Sequence, residues 1–158
     1  MKRILIALSL IWIPFWSPAQ TDSNLDLEAY FSAVIVSDIG ISNNWYSNVL
    51  GFTVVSMVES KERGFKQSNL KKEAILIELI ELDNAVSSKE VVPNYTNKTR
   101  IIGFFKTGFL VSDFSKWIKH LATEKVDFYG DIITDDKTGK KMMIITDPDG
   151  NRIQIFEK

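Results

Sequence analysis

Phe31 and Lys106 hold the same place in two copies of one motif. Phe31-Ser32-Ala33-Val34-Ile35-Val36-Ser37-Asp38 returns 75 residues later as Lys106-Thr107-Gly108-Phe109-Leu110-Val111-Ser112-Asp113, and only the first position differs in kind. A second pair of segments, Ile77-Glu78-Leu79-Ile80-Glu81 and Ile153-Gln154-Ile155-Phe156-Glu157, recurs at nearly the same offset and sets Glu78 against Gln154. A unit that cannot bury its apolar face alone packs against its copy, so the chain reads as one domain of two similar halves. Function is then sought where the copies disagree in chemistry. Lys106 offers an ammonium that donates hydrogen bonds and accepts none, whereas Glu78 offers a carboxylate. Burial lowers a lysine pKa and raises that of a glutamate, which would fit either residue for acid–base work near neutrality.

Other routes to chemistry close quickly. The chain has one histidine and no cysteine, so a Ser-His or Cys-His nucleophile has no plausible base. His120 lies in a helical segment near Trp117 and Leu121, where it is expected on a solvent-facing flank. Asp147-Pro148-Asp149-Gly150 resembles the start of a calcium loop, but Arg152 stands where that loop requires glycine. Gly139-Lys140 lacks the upstream glycine of a phosphate loop, because Thr134 occupies that position.

The elements that must position these residues follow from apolar spacing. Residues 30–36 read as a buried strand, and Asp38 caps a helix in which Ile41, Trp45, Val49 and Leu50 recur at helical spacing. Gly51 suits a left-handed helix end. Strands are expected over 52–59, 65–70 and 74–82. The second half repeats the order, with a strand over 102–111, an Asp113-capped helix, and strands near 126–134, 141–145 and 152–157. Residues 83–100 lack apolar periodicity and contain Pro93, so they form a linker with room to act as a flap. Strand alternation puts Phe31, Ala33 and Ile35 on one face, and Lys106, Gly108 and Leu110 on the matching face of the other half.

Residues 1–19 stand outside this pattern. Lys2 and Arg3 precede an apolar run broken at Pro14, and Ser17-Pro18-Ala19 supplies the small residues of a cleavage site, so a signal peptide cut after Ala19 is expected. Residues 20–29 form a polar leader. The remaining 139 of the 158 residues suffice for one core. Removing Lys2 and Arg3 from the 19 basic residues leaves 17 against 20 acidic ones, a net charge near −3 that argues against a nucleic-acid partner. Neither disulfide staples nor a membrane association after cleavage is expected. The destination is the periplasm or the exterior.

Trp45-Tyr46 with Leu50-Gly51-Phe52 after the first strand, and Asp147-Pro148-Asp149-Gly150-Asn151 before the last, together resemble the vicinal oxygen chelate superfamily. That is the group of glyoxalase I, bleomycin-resistance proteins and extradiol dioxygenases. The resemblance covers residues 30–157 and implies an α+β fold of two paired β-α-β-β-β modules, residues 30–82 and 101–157, forming curved mixed sheets around a cleft. It also makes a homodimer an available assembly. The family's four metal-ligand positions fall on Phe31, Glu78, Lys106 and Gln154, where His or Gln, Glu, His and Glu are usual. Only Glu78 matches, and a catalytic divalent ion typically needs about three lone-pair ligands. No metal or other cofactor is therefore expected. Lys106 and Glu78 are expected to pair in the cleft, the ammonium standing where a cation would sit. The implied function is an exported, metal-independent binding protein for a small amphipathic or anionic molecule, with Phe31 and Phe156 giving apolar area and Lys106, Gln154 and Glu78 polar contacts. The alternative is an enzyme of the lyase or isomerase sort with Glu78 or Lys106 as the acid–base residue, and a plugged scaffold stands beside both.

Overall fold

The computed structural model describes residues 28–96 and 98–158. The expected signal peptide lies outside them. The first module runs β1 (Ser32–Val36), α1 (Ile39–Asn48), β2 (Thr53–Ser60), β3 (Phe65–Lys72) and β4 (Ile75–Leu82). A short helix α2 (Ser88–Val91) interrupts the linker, and the second module follows as β5 (Thr107–Val111), α3 (Phe114–Thr123), β6 (Ile133–Thr134), β7 (Lys141–Thr146) and β8 (Arg152–Glu157). The sheets have orders β1-β4-β3-β2 and β5-β8-β7-β6, in which β1 pairs parallel to β4 and β5 parallel to β8. Each half is a β-α-β-β-β unit, the α+β architecture expected.

The two parallel pairings exist because a capped helix returns the chain across its own sheet. Asp38 accepts the Ile41 N–H at 2.8 Å and Asp113 accepts the Lys116 N–H at 2.8 Å, so the repeated Ser-Asp starts both helices in one way. Such a cap contributes about 1 kcal/mol. Gly51, at φ +74, turns the chain out of α1, and a side chain there would meet Lys72 Nζ at 3.0 Å.

Strand alternation sorts the side chains. Val36, Ile77, Leu79, Val111, Ile153 and Ile155 point inward to a single core that also takes Tyr46, Phe52, Phe114 and Leu121. The rings of Phe52 and Phe109 lie 6.2 Å apart, which places the two modules in direct apolar contact. The opposite sheet faces point outward and keep large apolar groups, including Ile35, 56 % exposed, and Leu110, 67 % exposed. Among the described residues no helix is long and apolar enough to cross a membrane.

Three local expectations change. On α1 the buried residues are Ile39, Ser42 and Tyr46, while Ile41 faces solvent. Of the apolar stripe expected from Ile41, Trp45, Val49 and Leu50, the last three reach the core and Ile41 does not, while Tyr46, which has a partner in the other module, is buried instead. Residues 102–106 are not strand, since Gly103 has φ +148 and breaks the extended run. The strand near 126–134 shrinks to two residues and one isolated bridge, Phe128 to Ile145, because Gly130 takes φ +86.

Candidate functional site

A cavity of about 720 Å³ lies between the modules, along the β1 edge and against the start of β5. Phe31 and Ile35 come from the first module, Phe105 and Lys106 from the approach to β5, and Arg152 from the start of β8. Linker residues, among them Tyr95, complete the wall. The linker is thus a structural part of the enclosure.

The structure brings Phe31 and Lys106 to this cavity and leaves Glu78, Gln154 and Phe156 outside its lining. Glu78 sits in β4 with Ala33 of β1 and Asn69 of β3 as strand neighbours. Gln154 occupies the matching position of β8, between Gly108 and Ile144, and is 4 % exposed. Its Nε2 lies 2.9 Å from the Met142 sulfur, and its Oε1 has no hydrogen-bond partner. Phe156 lies over Gly108, where an added Cβ would come 3.4 Å from its ring.

The expected ion pair between Lys106 and Glu78 does not form. Lys106 is exposed, with its Nζ 5.8 Å from the Phe105 ring centre. It borders the cavity while exposed to solvent, where an ammonium needs no buried counter-charge. The glutamate that does find a lysine is Glu81, whose carboxylate accepts from Lys66 Nζ at 2.6 Å and from the Ile39 N–H at 2.8 Å. The Lys66 hydrogen bond, followed by that from Ile39, holds the Glu81 carboxyl below its usual range.

Arg152 was missed by the sequence reading, although the comparison of halves carried the signal: it stands opposite Leu76, a cation against an apolar residue. Its guanidinium lies 4.8 Å from the Phe105 ring centre and 4.4 Å from that of Tyr129, and it donates to the Tyr129 hydroxyl at 3.0 Å. Its Nε is buried without a hydrogen-bond partner. Neither Arg152 nor Lys106 has a carboxylate in ion-pair range among the described residues.

The turn that delivers Arg152 is anchored across the module boundary. Asp147, 4 % exposed, accepts from the Tyr46 hydroxyl at 3.0 Å, from Asn151 N and Nδ2 at 2.8 and 2.9 Å, and from Asp149 N at 3.0 Å. Asp149 in turn accepts the Ser37 N–H at 3.1 Å. Burial pushes the Asp147 carboxyl above its ordinary value even though these donors pull it down. Burial, and then the adjacent carboxylate, push the Tyr46 hydroxyl far up, so it stays protonated and donates. His120 also belongs to this seam. It is half-buried, with Nε2 2.9 Å from the Val49 carbonyl of the first module, so its proton sits on Nε2. The exposed flank expected for it is corrected by that contact.

The donor set at the family's metal positions does not fit a divalent ion. Phe31 has no lone pair and Lys106 no acceptor capacity, which leaves one carboxylate and one amide oxygen. Among the described residues no three His, Cys, Asp or Glu side chains converge.

Comparison with known proteins agrees with this architecture. The uncharacterized protein YaeR of Escherichia coli (strain K12) is 26% identical over 132 residues, covering 83% of this chain and 96% of that protein. A glyoxalase family protein from Enterococcus faecalis superposes with a TM-score of 0.70 at 24% identity, covering 82% of this chain and 97% of that one. The solved structure of SMU.1112c gives a TM-score of 0.67 at 28% identity, with 84% and 100% covered. The sequence pattern of one superfamily matches residues 30–155, nearly the whole of both modules. The chain belongs to the Glyoxalase/Bleomycin resistance protein/Dioxygenase superfamily.

Proposed function

We propose that this protein is an exported, metal-independent binding protein whose small-molecule ligand occupies the cavity between its modules. One observation carries the reading: a cavity of about 720 Å³ combines aromatic walls with two cations that have no carboxylate partner among the described residues. Apolar lining with a few polar groups is the usual composition of a ligand site. Metal independence is supported by the donor set, in which an aromatic ring and an ammonium stand at two of the four family positions. The alternative, acid–base catalysis by Glu78 or Lys106, has less support, because only Lys106 borders the cavity. Export rests on the sequence of residues 1–19, and sequencing of the mature N-terminus should begin at Gln20. The exposed apolar face that carries Leu110, outside the cavity lining, favours a second copy of the chain as a partner.

A thermal-shift panel tests the binding reading. Small carboxylates should raise the melting temperature by the same amount with and without chelator. A shift that needs a divalent metal, or a protein that chelator alone destabilises, would count against it.

A further inference from the structure

We propose that the cavity selects an organic monoanion with an apolar body, a carboxylate above all, and that Arg152 is its anchor. The inference deepens the binding reading above and rests on it. Three features of Arg152 set it apart from an ordinary surface cation. Phe105 and Tyr129 contact its guanidinium at 4.8 and 4.4 Å, and the Tyr129 hydroxyl takes one of its N–H groups at 3.0 Å. Those contacts fix the plane of the group before any ligand arrives. Its Nε–H is buried with no acceptor, and an unsatisfied buried donor is costly. No carboxylate within ion-pair range neutralises it among the described residues.

A held guanidinium with unused donors is suited to a planar, bidentate acceptor. Asp149, three residues before Arg152, makes no ion pair with it, and its carboxylate accepts the Ser37 N–H. Lys106, exposed at the same cavity, adds a second positive charge that guides the anion inward. Phe31, Ile35, Phe104 and Phe105 surround the space with apolar surface, so a bare anion would leave most of the cavity unfilled.

The test titrates the full mature chain with naphthoate and decanoate, each paired with its primary amide, and with acetate as the bare anion, using ligand-observed NMR. Both larger acids should bind more tightly than their amides, and acetate weakly. Arg152→Gln should weaken the acids by roughly ten- to a hundredfold, the loss of a charge-assisted pair, and leave the amides unchanged. Arg152→Lys should retain part of the preference for acid. Lys106→Met, at an exposed position, should lower acid affinity severalfold and serves if the Arg152 variants do not fold. Amides that bind as well as acids, or an Arg152→Gln loss equal for both, would overturn the anion anchor while sparing the cavity as a binding site. Failure of every probe to bind would overturn both.

Discussion

The Tyr46 hydroxyl donates to the Asp147 carboxylate at 3.0 Å across a buried boundary between two modules. The residues are 101 positions apart, one on the first helix and the other in the turn before the last strand. Tyr46→Phe removes one donor from a buried carboxylate that keeps its Asn151 and Asp149 hydrogen bonds, so chemical denaturation should show a loss of about 1–3 kcal/mol. Asp147→Ala orphans several donors at once and should be more damaging. If Tyr46→Phe matches the parent protein, this hydrogen bond adds nothing to the hold between the modules.

Glu81 makes the acid limb of stability. Its carboxyl lies below its ordinary value of 4.5, through Lys66 first and Ile39 second. A lowered folded pKa contributes stability above the unfolded value and loses it as pH falls through the folded one. Glu81→Gln should therefore differ from the parent most above about pH 5 and converge with it in acid. Asp147 slopes the other way: its raised pKa gives a contribution present below the unfolded value and lost as pH rises through the folded value. A difference between parent and Glu81→Gln that grows on acidification would contradict the assignment.

Lys106→Met should leave stability within about 0.5 kcal/mol of the parent, the ordinary range for a surface change. The lysine is exposed and unpaired among the described residues, so no buried charge is relieved. A gain well beyond that range would mean that the ammonium is enclosed in solution.

Leu110→Glu addresses the outward sheet face. Leu110 is 67 % exposed, and a charge there would be buried if a second copy covers it. Sedimentation should show the parent as a dimer and the variant as a monomer with an unchanged melting profile. A parent that sediments as a monomer at high concentration would dismiss the assembly.

The sequence made the module order and both helix caps legible, because each is written twice, whereas the parallel β1–β4 and β5–β8 pairings come from the structure. Asp38 and Asp113 repeat one cap, and Ile77 and Ile153 repeat one inward position. What stayed hidden depends on contacts between the copies. His120 looked exposed because its acceptor, the Val49 carbonyl, is 71 residues away. Tyr46 displaced Ile41 as the buried residue of α1 for the same reason: its acceptor lies on the second module. The run 102–106 read as strand from apolar content, yet it lacks the alternation that pairing demands. Arg152 lies outside the inherited ligand positions, and its only mark in the sequence is its opposition to Leu76 in the other half.

Each four-stranded sheet draws all its strands from its own half of the chain, and no strand crosses over. A protease that cleaves the connecting segment therefore severs no ladder. Two fragments, each with a complete sheet, would remain clasped through Tyr46, Asp147 and the common interior. Limited digestion thus separates two properties normally lost together: the folded scaffold persists, while the enclosure to which Tyr95 contributes comes apart.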